Sequence, residues 1–236
     1  FNHRHDEYGG SLENRMRFMT MCIEEVMKAA GNDMAVVAKM NMRDGLKRPG
    51  ITLEESMEIA KRLQQLGVHA IVLSGGLVSA TPMYVMRGEM PIHTMTHYMD
   101  KAWLKYGVRA CGKMMVPTVP YQEAFFLEDA LLFRKALPDM KFIYVGGLVA
   151  GDKINEVLSH GFEAVQMARS LLNEPDFVNR LKDDPHHRCG CRHSNYCIAR
   201  MYSVDMACHQ HLKEPLTPAI LREIERIEKE QNQDTV

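Results

Sequence analysis

Short apolar, β-branched runs alternate with amphipathic stretches along most of this chain. Residues Asn14 to Ala30 place Phe18, Cys22, Ile23 and Val26 on one face, at the period of a helix. Ser11 stands as its N-cap with Asn14 three positions on, and Gly31 as its stop. Met34 to Met42 reads as a strand. Ile51 to Leu66 reads as a helix entered through Thr52 and ended by Gly67. Glu54 and Glu55 fall in its first turn, where the helix dipole favours acids. Val68 to Ser74 is short and nearly all apolar, as a parallel strand buried on both faces must be. Later come a strand at Phe142 to Val145, Gly146-Gly147, a helix from Asp152 to Ser159, Gly161, a strand from Ala164 to Ala168 and a helix near Pro175 to Lys182. Strands alternating with helices predict right-handed βαβ units and a parallel sheet.

Two segments break the alternation. Between residues 75 and 138 the pattern weakens, with Pro82, Pro91, Pro117, Pro120 and the single Trp103. Helices near His93 to Lys105 and Ala124 to Ala136 are expected there. That is long for a connection between two strands, so the segment is an insertion, facing either a substrate or only its own packing. From Asp183 the composition turns to Cys, His and Arg, and Leu216 to Gln231 reads as a terminal amphipathic helix. The expected division is therefore 1–182 as an α/β unit carrying the 75–138 insertion, and 183–236 as a tail.

Composition narrows the field. In 236 residues, 29 Lys and Arg balance 30 Asp and Glu, so the basic bias of a nucleic-acid binder is missing. No run of 18 apolar residues predicts a membrane span. With no signal-peptide pattern the chain is expected in the cytoplasm. The 19 Met read as adaptable core filler. Of the six Cys, four (Cys189, Cys191, Cys197 and Cys208) crowd the tail, which favours metal or cluster chemistry, or its relic, over a disulfide framework.

The most specific motif opens the chain: Asn2-x-Arg4-x-Asp6-x-Tyr8-Gly9-Gly10-Ser11-x-x-Asn14-Arg15-x-Arg17-Phe18. Its residue types suit a loop and a capped helix. Gly9-Gly10 permits a turn closed to other residues, Ser11 caps, and Arg4 with Asp6 can brace. As a whole it resembles a signature of the Old Yellow Enzyme family, the NADH:flavin oxidoreductases built on an FMN-binding TIM barrel, with a 2,4-dienoyl-CoA reductase-like branch. In that family the signature follows the fourth strand. The resemblance thus implies an α/β fold, the C-terminal half of a (β/α)8 barrel with strands 5–8. It also implies hydride transfer from NAD(P)H through FMN to an electron-poor alkene or related acceptor, by a protein whose earlier half lies upstream. A half barrel is expected to self-associate or to require that upstream half. The rival readings are an inactive half-barrel fragment and a small metal or iron–sulfur redox module.

Gly146, Gly147, Ala168 and Arg169 end two successive strands. Loops after the last two strands of a TIM barrel commonly hold a phosphate, and backbone N–H groups and an Arg fork suit one. The segment resembles the family's FMN-phosphate motif, with Ala168 where Gly is usual. Lys39, inside an apolar strand, matches the family's basic residue facing the flavin pyrimidine; a lysine snorkelling to solvent is the plain alternative. Cys191, Cys197 and Cys208 resemble the segment that binds a [4Fe-4S] cluster in larger relatives. Ser194 stands where the second cysteine would be, and serine is a poor iron ligand. A cluster, another metal such as zinc, and a ligand-free relic remain open, and a ligand-free tail should leave its three sulfurs too scattered for one tetrahedral or cubane site. The family's substrate-binding residues lie upstream, so no catalytic acid is assigned.

Overall fold

Residues 2–46 and 50–233 are described by a computed structural model. In chain order the elements are α1 (Leu12–Ala30), β1 (Val37–Asn41), α2 (Leu53–Gln65), β2 (Ala70–Ser74), α3 (Pro82–Met86), α4 (Ile92–His97) and α5 (Ala102–Met115). They continue with α6 (Leu127–Ala136), β3 (Phe142–Val145), α7 (Gly151–Ser159), β4 (Ala164–Gln166), α8 (Arg169–Asn173) and α9 (Phe177–Asp183). The tail adds α10 (Tyr196–Arg200), a 3-10 turn (His209–His211) and α11 (Pro218–Gln233). Two units form. The first holds residues 1–76, 126–145 and 157–166, and the second holds 77–125, 146–156 and 167–236.

The first unit contains the whole sheet. Its four strands pair in parallel in the order β1-β2-β3-β4, which makes it four consecutive units of a (β/α)8 barrel. Ile71 and Leu73 in β2 and Phe142 and Tyr144 in β3 are fully buried. Phe133 of α6 meets Phe142 edge-on, and Phe162 meets Tyr144 the same way. The Tyr144 hydroxyl accepts the Phe126 N–H at 3.1 Å, so even this polar tip in the core is satisfied. Ser56 in α2 donates to the Met42 carbonyl at 2.6 Å, tying the helix to the end of β1. Lys39 Nζ reaches Gln166 Oε1 at 3.3 Å. These residues sit on the two outer strands, roughly 14 Å apart if the sheet were flat. Their contact therefore requires the sheet to curl as a barrel wall does.

The opening signature is a loop bonded to its own helix. Arg4 forks onto Asp6, and Asp6 also accepts the Tyr8 N–H. Asn2, Asn14, Arg15 and Arg17 donate to the carbonyls of Tyr8, Gly9, Gly10 and Glu7. A Cβ on Gly9 would lie 2.0 Å from the Arg4 carbonyl oxygen, which only glycine avoids. Ser11 caps α1 through the Asn14 N–H, as its spacing predicts. The helical face of Phe18, Cys22 and Val26 is exposed instead of packed, because no element of the described first unit covers it.

The second unit is helical and methionine-rich. Met83, Met86 and Met90 pack with Ile92, Cys197 and Ile198, where flexible thioethers fill an irregular core. Tyr196 packs with Ile220 and Ile224 of α11. The helix expected over His93 to Lys105 is two helices, because the chain turns between His97 and Ala102, and the second runs on to Met115. Among the described residues no helix is long and apolar enough to cross a membrane.

Candidate functional site

Four of the candidate cofactor residues fall in the second unit and Lys39 falls in the first. Lys39 is exposed, and its ammonium is held by the Gln166 amide. Gly146 and Gly147 follow β3 with φ of 154° and 68°. Ala168 and Arg169 follow β4, and Arg169 opens α8. The two loops are joined. The buried Ser170 hydroxyl donates to the Leu148 carbonyl at 3.0 Å, and the Tyr121 hydroxyl donates to the Gly147 carbonyl at 2.6 Å. The first N–H groups of α8 lack acceptors within their own helix, as at any helix start. A phosphate beside the start of α8 would therefore meet backbone donors.

Two features reshape that site from within. Arg169 does not offer its fork freely. Its terminal amino groups donate to Asn195 Oδ1 and to the Met86 carbonyl, both at 2.7 Å. At the start of α7 the Glu123 carboxylate accepts the N–H groups of Val149 and Ala150 at 2.8 Å each, and Arg188 pairs with it at 3.0 Å. An anion belongs at that helix end, and the chain supplies its own. A phosphate would rest on backbone at Gly147 and residues 168–169 rather than on the Arg169 fork. Gly147 also has a second duty, since a Cβ there would lie 2.7 Å from the Phe125 ring and 3.0 Å from Tyr121.

Cys191, Cys197 and Cys208 come into one neighbourhood of the tail. They line one cavity with Arg169, Ser194 and His209, because the tail folds back on α8. The cavity holds about 20 Å³, room for one water and far too little for a four-iron cubane. Its polar walls satisfy one another. Asn173 donates to Cys208 Sγ at 3.3 Å, and Ser194 Oγ lies 3.5 Å from His209 Nδ1. His209 Nε2 is 3.3 Å from Glu228 Oε1, but without hydrogen-bond alignment, so that buried oxygen has no hydrogen-bond partner. Burial lowers the His209 pKa and raises that of Glu228, favouring the neutral form of each. Among the described residues no three His, Cys, Asp or Glu side chains are grouped to hold a metal ion. The three thiols with Ser194 thus do not fit a cluster.

Burial also raises the thiol pKa values, to about 12 at Cys189 and about 11 at Cys197, and pushes Cys191 up as well. The thiolate is the reactive form. At neutral pH a maleimide should label the exposed Cys22 and Cys111 at least about tenfold faster than Cys189 and Cys197, read by peptide mass spectrometry. Equal rates would show that the tail opens in solution. His193 lies stacked on Tyr121 with ring centres 3.7 Å apart. Burial, helped by Arg169 and Arg188, lowers its pKa to about 2, so it stays a neutral ring at any ordinary pH.

A parallel sheet curled as a barrel wall and a capped signature loop define a protein of the α/β-barrel class. The chain belongs to the NADH:flavin oxidoreductase / NADH oxidase family, whose model matches residues 1–109. It is 39% identical over 203 residues to 4,4'-dithiodibutanoate disulfide reductase of Rhodococcus erythropolis, covering 86% of this chain and 50% of that protein. It is 34% identical over 202 residues to cinnamate reductase of Clostridium sporogenes, covering 80% and 26%. To a multifunctional alkene reductase/demethylase of Caballeronia cordobensis it is 37% identical over 192 residues, covering 80% and 24%. The chain thus spans half or less of the length of these relatives. Among solved structures, 2-naphthoyl-CoA reductase matches with a TM-score of 0.63 at 18% identity, over 94% of this chain and 29% of that one. The Old Yellow Enzyme homologue of Zymomonas mobilis matches at 0.50 and 16%, over 92% and 48%. These two support the fold.

Proposed function

We propose that this chain is the flavin-phosphate-binding part of an NAD(P)H-dependent FMN oxidoreductase that reduces electron-poor alkenes or related acceptors. The carrying observation is the junction of the two strand-end loops through Ser170 and Leu148. It brings small residues and helix-start N–H groups together where barrel enzymes hold phosphate. FMN, when bound, would accept hydride from NAD(P)H and deliver it to the acceptor. The chain's own residues would hold and tune it. Gly147, Ala168 and Arg169 would take the phosphate through backbone N–H groups, while the Arg169 guanidinium braces the tail. Lys39, kept in place by Gln166, is the proposed cation facing the flavin pyrimidine, where it would favour the negative charge of the reduced ring. The named activities of the relatives supply the acceptor classes to try, an aryl-substituted enoate and an organic disulfide.

The phosphate is the proposed handle, so the test compares FMN with riboflavin. FMN should bind at least about tenfold more tightly, read by quenching of flavin fluorescence. Equal affinities, or no FMN binding at all, would overturn the reading.

A further inference from the structure

Away from those loops, α4, α5 and α11 of the second unit enclose a basic cleft that the flavin reading does not use. Arg109 and Lys113 stand one turn apart on α5, and Arg222 and Arg226 one turn apart on α11. Residues at that spacing share a helix face, and both faces open on one cavity of about 430 Å³ floored by Ile92 and His93 of α4. That volume is in the range of small-molecule sites. The helices are built to close on each other. A Cβ at Gly112 would lie 2.8 Å from Ile92 Cδ1, so glycine there lets α5 settle against α4.

The acids at the cleft leave two of its four cations without an ion pair among the described residues. Glu223, its one lining acid, is consumed by the fold. Its two oxygens accept the N–H groups of His93 and Thr94 and the Thr94 hydroxyl. Glu89 takes the Arg226 fork at 2.7 and 3.0 Å and lies 3.2 Å from Lys113. Arg226 also reaches Glu230. Among the described residues Arg109 uses its Nε, donated to Thr96 Oγ1 at 2.9 Å, and its terminal amino groups are left to the cleft. Arg222 forms no ion pair among the described residues. Like charges one turn apart on a helix are destabilising, and here two such pairs face one cavity. Glu89 relieves one member of each pair, Lys113 and Arg226, and Arg109 and Arg222 keep their charges turned to the cleft.

We infer that this cleft binds the diphosphate group of a small phosphorylated ligand, such as a nucleoside diphosphate or its ester. Two partly free guanidinium forks and a flexible ammonium match adjacent phosphoryl groups, which accept paired N–H donors. A single carboxylate would use one fork and leave the other cation unmatched. The inference stands apart from the flavin reading, because binding is measured with neither flavin nor reductant present.

Isothermal titration with inorganic pyrophosphate, ADP, adenosine and orthophosphate at matched ionic strength is the test. Pyrophosphate and ADP should bind, and adenosine should not. ADP tighter than pyrophosphate would identify a nucleotide as the source of the diphosphate, and equal affinities a bare diphosphate handle. Arg222→Gln, at an exposed position without an ion pair, should weaken ADP about tenfold and leave the melting temperature of the free protein unchanged. Adding Arg109→Gln should abolish binding. Adenosine binding as well as ADP, orthophosphate binding as well as pyrophosphate, or an affinity unmoved by Arg222→Gln would each overturn the inference.

Discussion

At micromolar concentration the isolated chain is expected to scatter light as a dimer or larger. The reason lies in the first unit. Its sheet has two outer strands, and among the described residues β1 pairs only with β2. The other edge of β1 has no strand partner among them and is a ready template for another strand. Apolar side chains of the same unit lie uncovered. Phe18 is 65% exposed, Met34 61%, Val37 48%, and Met21 and Val26 nearly half. Fully burying one such side chain contributes about 1.5–3 kcal/mol, so covering several outweighs much of the cost of association. Phe18→Glu with Val26→Lys should shift the population towards monomer. Adding the upstream part of a longer protein should do the same by covering the same surfaces. A cooperative melt from a monomer of the chain alone would show that this surface tolerates water, and the argument would fail.

How much of this could be read from residues alone depends on range. The strand at Phe142 to Val145 was legible to the residue, since a four-residue apolar run between a lysine and two glycines allows little else. The caps at Ser11 and Thr52 were legible because capping is local, acting across three residues. The signature loop was legible as a structural piece for the same reason. The turn that splits α4 from α5 was not. Nothing at Tyr98 to Lys101 is a helix breaker, and the division comes from α4 being held by α11, far away in sequence. Face assignment failed at α1, where helical period gives the stripe but not what covers it. At the strand-end loops the residue types were legible and their partners were not. Arg169 suits a phosphate by type, yet Asn195 and the Met86 carbonyl compete for its fork. Glu123 carried no signal, because its role as an internal anion depends on bonds to residues 26 and 27 positions later. In the tail, Ser194 in place of a cysteine was the readable clue. The small volume left among the thiols was not, since it depends on how closely the tail packs on α8.

Glu223→Ala should be among the most damaging single substitutions outside the apolar core. Helix α4 begins after Pro91, which has no side chain able to cap it, so its first donors need a partner from elsewhere. Glu223 is that partner across some 130 residues, at 2.9 Å from the His93 N–H, 2.8 Å from the Thr94 N–H and 3.0 Å from the Thr94 hydroxyl. Glu223 is only 8% exposed and Thr94 is fully buried, so water cannot replace the lost bonds cheaply. Hydrogen bonds to a charged group are the stronger kind, and stranding their buried donors costs about 2–4 kcal/mol in all. For a chain of this size that lowers the melting temperature by about 5–15 °C. Glu223→Gln keeps one carbonyl oxygen of similar shape and should recover part of the loss. Glu225→Ala, two residues on and on the exposed face of α11, should change stability by less than about 0.5 kcal/mol. Thermal melts of the three variants decide the matter. If Glu223→Ala melts with Glu225→Ala, the carboxylate does not hold α4 to α11, and the walls of the basic cleft are not fixed by it.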